Sequence, residues 1–140
     1  MEFKDLASIS GKSGLYKIIK PARTSIIVES LDPQRKKTVI SVNQRISVLD
    51  EISVYTNTAE GSTPLKQVFQ AIYREFGDDP AIEGDATNAE FLPFFKVILP
   101  EFDQDKVYAS DIKKIVRWYQ ILLKEAPHLV TGDNTGEEEE

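Results

Sequence analysis

One short glycine-rich segment has residue types that could bind phosphate. Gly11, Lys12 and Ser13 reproduce the end of the phosphate-binding loop G-x-x-x-x-G-K-[ST], in which backbone amides and a lysine hold phosphate groups. The motif also needs a first glycine where this chain has Leu6, and a helix where the apolar pattern from Leu15 onward predicts a strand. We therefore interpret the segment as a glycine turn between two strands.

The acidic residues do not follow the spacing of a known cation site. Four carboxylates lie close together in sequence, at Asp78, Asp79, Glu83 and Asp85. Calcium takes about six to eight oxygen ligands, and its common loop has the pattern D-x-[DN]-x-[DN]-G with a glutamate at the twelfth position, which these residues do not match. We interpret this segment as a solvated connector and Asp103 and Asp105 as a turn.

The components of nucleophilic or histidine-based catalysis are missing from the sequence. His128 is the only histidine, and the chain has no cysteine. A histidine acting as a general base needs a nucleophile and an orienting group within hydrogen-bond reach, and no such residue adjoins His128 in sequence. Without cysteine there are no disulfides and no thiolate metal sites. The sequence therefore predicts no enzymatic activity, no metal and no cofactor.

Positive charge is concentrated in the first part of the chain. Residues 1–55 hold nine Lys or Arg against six Asp or Glu, a net charge of +3, whereas residues 56–140 hold eight against seventeen, a net charge of −9. Candidate binding residues in the first part carry cationic or aromatic side chains: Lys12, Tyr16, Arg35, Lys36, Lys37 and Tyr55. Small barrels use such residues to bind single strands.

Two kinds of partner are compatible with this basic surface. Three charges in a hairpin turn also protect sheet edges and aid solubility, and the net charge of −6 disfavours nucleic acid as a partner of the whole chain. We therefore predict a non-catalytic protein-interaction or adaptor protein with an unidentified protein partner. The alternative is binding of RNA or single-stranded DNA by the basic N-terminal half.

Short β-branched runs separated by turn residues predict an antiparallel sheet in residues 1–56. Four strands are predicted, at 15–20, 24–30, 37–42 and 51–56, and residues 1–10 add a strand or a short helix. Ile26 and Val28 share one face of their strand, as do Ile40 and Val42, so we expect these four in the core. So many short strands in about 50 residues favour a small SH3-like antiparallel β-barrel.

The apolar period changes from two to 3.6 after a polar linker at residues 57–62. A helical domain is predicted over 63–130, with Thr63 as the first N-cap, helices ending near Gly77 and Ile98, and a third helix capped by Ser110. Lys113, Arg117 and Lys124 share a face of the third helix, which we interpret as its solvated side. Trp118 widens the apolar arc of this helix, which predicts that the helices dock on the sheet. The fold class is therefore α+β.

The two ends of the sequence bear on location. Residues 1–5 lack the basic and apolar regions of a signal peptide, and no apolar run approaches the roughly 20 residues that span a bilayer. We expect a cytoplasmic protein without membrane association. Residues 131–140 end in four glutamates and are predicted to be a disordered acidic tail.

Three stretches resemble a protein family of the Bacteroidetes: residues 9–18 (ISGKSGLYKI), 27–31 (IVESL) and 107–119 (VYASDIKKIVRWY). The resemblance extends over nearly the whole chain apart from the acidic tail. It implies an N-terminal domain of unknown function followed by a helical C-terminal domain, and it supplies no activity, substrate or catalytic residue. Residues 9–18 also resemble the small SH3-like barrels of ribosomal and transcription-elongation factors, in a glycine pair followed by alternating apolar residues.

Overall fold

The first half of the chain forms a five-stranded antiparallel sheet. The structure is a computed structural model that describes residues 1–41, 43–77 and 88–131. Its first strands are β1 (Leu6–Ile9), β2 (Tyr16–Pro21), β3 (Ser25–Ser30), β4 (Lys37–Ser41) and β5 (Ile46–Val48). The strand order is β4-β3-β2-β1-β5, so the chain passes from one edge of the sheet to the other after β4. Short 3-10 helices, Phe3–Asp5 and Leu49–Glu51, flank the sheet.

The sheet is open and is not closed into a barrel. Strands β4 and β5 are its two edges and do not pair with each other in the ranges that the structure describes. The prediction of an antiparallel sheet followed by helices is therefore confirmed, and the predicted SH3-like barrel is not. The physical reason is that the helices cover apolar residues at the end of the sheet, so strand closure is not needed to bury them.

A second hairpin lies at the predicted boundary between the halves. Strand β6 (Ser53–Tyr55) pairs with β7 (Ser62–Pro64), and residues predicted as a linker form their turn. Thr63, predicted as an N-cap, instead pairs with Val54, and Pro64 precedes the first helix. The helix begins later than predicted because Thr63 and Pro64 belong to the hairpin. The hairpin continues to Leu65, whose amide donates to the carbonyl of Ile52 (2.9 Å).

Four helices follow the hairpin: α1 (Leu65–Phe76), α2 (Asn88–Ile98), α3 (Ala109–Glu125) and α4 (His128–Thr131). The third helix is capped two residues earlier than predicted. Tyr108, not Ser110, is its N-cap, and the Tyr108 amide donates to the carboxylate of Asp111 at 3.0 Å. Pro93 lies inside α2, as the sequence indicates, and no helix in the described ranges is long and apolar enough to cross a membrane.

Two clusters of buried residues hold the fold together. The smaller cluster lies on the sheet, where Val28 and Ile40 are buried with Ile9 and where Ile26 packs against them, as predicted. The larger cluster is shared by both halves. Its members from the first half are Phe3, Leu6, Leu15, Leu31 and Leu49, and its members from α1 and α3 include Val68, Phe69, Ile72, Ile112, Val116 and Tyr119. The two halves are therefore packed on each other through one core.

Some predictions lie outside the described residues. They concern the side chain of Val42, the acidic segment at 78–85 and the tail from residue 132 onward. Within the described part, the chain remains packed up to Val130, which is fully buried in the shared core.

Candidate functional site

A cleft lies where the sheet meets α3. Its volume is about 460 Å³, and we call it the basic cleft. It is lined by Ser8, Ile9, Ser10, Gly11, Lys12, Ser13, Gly14, Arg45, Ser47, Lys114, Arg117 and Trp118. Four of these residues are cationic and four are serines, and none is acidic. Both halves of the protein therefore contribute to one positively charged cavity.

The turn between β1 and β2 places Lys12 in the basic cleft. Gly11 has a φ of +86°, in the region that favours glycine, and the Lys12 amide closes the turn by donating to the Ile9 carbonyl at 3.0 Å. The Ser10 amide donates to the carbonyl of Arg45 at 3.0 Å. This bond joins the turn to the start of β5, which brings two cations from distant parts of the sequence to one wall of the cleft.

Helix α3 supplies the other two cations of the basic cleft, Lys114 and Arg117. Lys114, Arg117 and Trp118 are spaced i, i+3 and i+4, so they lie on one face of the helix. The turn packs against this helix at Gly14, where an added Cβ atom would make an ordinary van der Waals contact with Cδ1 of Ile121 at 3.9 Å, one turn further along the helix. The cleft is thus formed by a glycine turn on one side and a helix face on the other.

Among the residues that the structure describes, no carboxylate forms an ion pair with any of the four cations of the basic cleft. The ion pairs among described residues are Lys4 with Glu2, Arg35 with Glu125, and Arg74 with Glu75. Lys12, Arg45, Lys114 and Arg117 are exposed and form no ion pair with a carboxylate that the structure describes. Like charges held together without counter-charges create a local positive potential, which favours an anionic ligand.

A smaller apolar pocket adjoins the basic cleft. Its volume is about 250 Å³, and we call it the hairpin pocket because β6 forms part of it. It is lined by Ile52, Ser53, Val54, Tyr55, Leu65, Lys106, Val107, Asp111, Lys114, Ile115 and Trp118. Lys114 and Trp118 line both cavities. Nζ of Lys106 lies 5.2 Å from the ring centroid of Tyr55, a cation–π distance.

The predicted binding residues are distributed over four places. Lys12 lies in the basic cleft and Tyr55 in the hairpin pocket. Tyr16 is half-buried and packs against the small cluster of the sheet. Lys36 and Lys37 are exposed at the start of β4, away from the residues that line either cavity. The structure therefore brings Lys12 and Tyr55 to adjoining cavities and leaves the other predicted residues apart from them.

The basic turn before β4 is organised by Asp32. Its Oδ1 accepts hydrogen bonds from the Ser30 hydroxyl (2.9 Å) and from the amides of Gln34 (2.9 Å) and Arg35 (3.1 Å). These bonds, the serine bond foremost, lower the pKa of Asp32. Nη2 of Arg35 lies 2.6 Å from Oε1 of Glu125 at the end of α3. Arg35 thus connects the sheet to the helices.

Three cleft residues from α3 are not among the predicted binding residues, for an identifiable reason; Arg45, just before β5, is also not among them. Arg117 was grouped with other cations on the solvated face of α3, and Trp118 was assigned to docking alone. Lys114 was not singled out. These three residues share one face of α3, and this face lies against the Gly11 turn. Their spacing is visible in the sequence, but only the tertiary structure shows that the helix face and the turn meet.

His128, the only histidine of the sequence, lines neither cavity. Nε2 of His128 lies 2.9 Å from the backbone carbonyl oxygen of Met1. In the described ranges no three His, Asp or Glu residues are grouped so that they could hold a metal ion.

Comparison with known proteins identifies both halves. Residues 3–49 match the model of a domain of unknown function (DUF5606), and residues 52–122 match that of another (DUF6852). A solution NMR structure of a structural genomics target from Bacteroides vulgatus is similar at 30% identity with a TM-score of 0.68, over 93% of this chain and 87% of that one. No curated protein shows significant similarity. The chain belongs to the family of the domain of unknown function DUF6852, which here follows a DUF5606 domain.

Proposed function

We propose that this protein is a non-catalytic binding protein that holds a phosphate-bearing ligand in the basic cleft. The observation that carries the proposal is the convergence of four cations from both halves of the chain, none of which forms an ion pair with a carboxylate that the structure describes. Lys12 and Arg45 come from the sheet, and Lys114 and Arg117 come from α3. Structural ion pairs would leave such cations partnered, as Arg35 is partnered by Glu125.

Phosphate fits this cavity better than a single carboxylate does. A phosphate monoester carries a charge of about −1.5 to −2 and three acceptor oxygens. The lysine, arginine and serine side chains of the cleft offer more donors than one carboxylate can accept. Arginine in addition binds the oxygens of phosphate in pairs. The residue types of the cleft therefore favour a ligand with several anionic oxygens close together.

The composition of the cleft supports binding without chemistry. The residues that line it include no histidine and no carboxylate among those the structure describes, so none of them is an ordinary proton acceptor at neutral pH. The serines have no adjacent base there to activate them. We therefore propose that the cleft binds its ligand without a chemical reaction, in keeping with the predicted absence of enzymatic activity. We place the ligand at α3 instead of at Arg35, Lys36 and Lys37.

A titration of the full-length protein with inorganic pyrophosphate tests the proposal. Amide resonances of residues 10–14, 45–47 and 114–118 should shift in ¹⁵N-¹H spectra, and the affinity should fall as salt increases. The double variant Lys114→Gln and Arg117→Gln should lose this binding. Its matched control, Lys66→Gln with Lys124→Gln, changes the net charge equally, uses exposed residues of α1 and α3, and lies outside both cavities.

Two results would overturn the proposal. One is a titration in which no resonance of the cleft moves at millimolar pyrophosphate. The other is equal loss of binding in the two double variants, because the effect would then follow from net charge and not from the cleft. Retention of binding in the control alone supports the proposed site.

A further inference from the structure

We propose that the ligand is a nucleotide, whose phosphate lies in the basic cleft and whose base lies in the hairpin pocket against Trp118. This inference rests on the proposed function, because it assumes that the cleft binds phosphate. It adds the base of the nucleotide, which the cleft alone does not specify. The observation that carries it is that a cationic cavity and an apolar, aromatic cavity share two residues, Lys114 and Trp118.

Trp118 is placed to contact both parts of such a ligand. Its side chain is half-buried and contributes to the lining of each cavity. Nucleic-acid bases stack on aromatic side chains, and every base has a face that can do so. Tyr55, 54% exposed, supplies a second aromatic ring to the same pocket. An aromatic ligand group in the pocket would therefore lie beside the phosphate site and not apart from it.

The difference in charge between the two cavities favours one direction of the ligand, because the basic cleft has four cations and no carboxylate, whereas the hairpin pocket has two cations, Lys106 and Lys114, and one carboxylate. Asp111 is the only acidic residue among those that line either cavity, and it lines the hairpin pocket alone. A carboxylate repels phosphate but accepts hydrogen bonds from the exocyclic amino groups of bases. Ser53 adds a hydroxyl that both donates and accepts. The base is thus favoured in the pocket and the phosphate in the cleft.

The dimensions of the two cavities match a ligand of this size. They measure about 250 Å³ and about 460 Å³ and adjoin each other at the two lining residues that they share. Together they fall within the roughly 300–1,000 Å³ that is typical of small-molecule and cofactor sites. Free nucleotides and single nucleotides of a strand share this chemistry, so the test includes both.

Intrinsic fluorescence gives a direct readout, because Trp118 is the only tryptophan of the chain. The full-length protein is titrated with AMP, GMP, CMP and UMP, with ribose 5-phosphate as the base-free analogue, and with an adenylate decamer. At least one nucleotide should change the Trp118 emission and bind about five- to a hundredfold more tightly than ribose 5-phosphate, the range expected for stacking of one base. Ribose 5-phosphate should shift the cleft resonances and leave the emission nearly unchanged.

A substitution at the shared residue separates the base from the phosphate. Trp118→Leu retains an apolar side chain, and its binding is followed by ¹⁵N-¹H spectra. It should lose the preference for nucleotide over ribose 5-phosphate, which is the ratio of two affinities measured in the same variant. The matched control is Tyr73→Leu, which removes an aromatic side chain from α1 outside both cavities and should keep the preference. Native spectra of both variants confirm that they are folded.

The outcomes distinguish the inference from the proposed function. If pyrophosphate binds but no nucleotide binds better than ribose 5-phosphate, the inference is wrong and the proposed function stands. If neither pyrophosphate nor any nucleotide binds, both are wrong. Equal binding of AMP and of the adenylate decamer per site supports a free nucleotide, and stronger, salt-dependent binding of the decamer supports a strand. If a tetraglutamate peptide binds as tightly as AMP, the inference of a nucleotide is wrong and the ligand is an acidic protein segment.

Discussion

Replacement of Phe69 by alanine is expected to destabilise the sheet and the helices together. Phe69 lies in α1 and is fully buried in the core that both halves share. Its ring centroid lies 5.9 Å from that of Phe3, in the N-terminal segment, and 6.4 Å from that of Tyr119 in α3. One side chain of α1 thus contacts both the segment before the sheet and helix α3.

The expected loss follows from the cavity that the substitution creates. A fully buried phenylalanine replaced by alanine costs about 3–5 kcal/mol, and the upper part of this range applies when neighbouring rings cannot close the space. A domain of this size has a free energy of unfolding of about 7–20 kcal/mol, at about 0.05–0.15 kcal/mol per residue. The variant should therefore fold, with about a quarter or more of its stability lost.

Two probes measure whether the loss is shared. Urea unfolding is followed by Trp118 fluorescence, which reports the cleft, and amide hydrogen exchange reports strands β2 and β3 separately. Both should show the same reduction in the free energy of unfolding. Val97→Ala is the control, since Val97 is 54% exposed on α2 and its truncation should change stability by less than about 0.5 kcal/mol.

The reasoning would be refuted if exchange in β2 and β3 kept its wild-type protection while the fluorescence transition moved to lower urea. That result would mean that the sheet holds its own stability through Val28, Ile40 and Ile9, and that the shared core contributes little to it. A transition resolved into two steps in the wild type would have the same meaning.

Three further substitutions test local features. Gly14→Ala should cost about 1–2 kcal/mol in thermal unfolding, because Gly14 has a φ of +84° in the left-handed region. Glu125→Gln should cost less than about 1 kcal/mol, and high salt should reduce this cost, because the partner Arg35 is partly exposed. Ser30→Ala should raise the pKa of Asp32 toward its ordinary value of 3.8 in an NMR titration, since it removes the largest cause of the lowering. Asp32 stabilises the fold above that value and loses its contribution as pH falls through its lower folded-state pKa, so the variant should lose less stability to acid.

Each of these predictions has a defined contrary result. Gly14→Asn should be tolerated better than Gly14→Ala, since asparagine adopts positive φ more readily, and equal stability of the two would contradict the backbone argument. A cost for Glu125→Gln that is independent of salt would mean that packing, and not charge, is lost. An unchanged titration of Asp32 in the Ser30→Ala variant would show that the backbone amides alone determine its pKa.

Local patterns were sufficient to predict most elements of the fold. The alternation around Ile26, Val28 and Ile40 indicates the strands of the sheet, and these residues are packed together in the structure. The stripe of α1, from Leu65 to Ile72, is buried as its 3.6-residue period predicts. Patterns that repeat within one element are visible in sequence, because the element itself sets their period.

Pairing between distant segments was harder to predict. Strand β5 has three residues and is defined by its partners in β1, so its short sequence carries little signal of its own. The same holds for β7, which pairs with β6 across a turn that was predicted to be a linker. The barrel was predicted from strand number and spacing, and those quantities do not determine whether helices will cover the end of a sheet.

The candidate site illustrates the same limit. Lys12 was recognised because the Gly11 turn resembles part of a known phosphate-binding motif, although the motif itself is incomplete. Its neighbours in the basic cleft come from β5 and from α3, more than 30 and 100 residues away in the chain. The convergence of charges from separate elements is a property of the tertiary structure.

The shared core also has a consequence for the synthesis of the protein. Phe3, Leu6 and Leu49 emerge from the ribosome well before α3 and α4, whose side chains complete the core around them. At about 5–20 residues per second, the segment from Leu49 to Val130 takes about 4–16 seconds to translate. During that interval these side chains lack their neighbours from α3 and α4, so the shared core is completed only after residues up to Val130 have emerged.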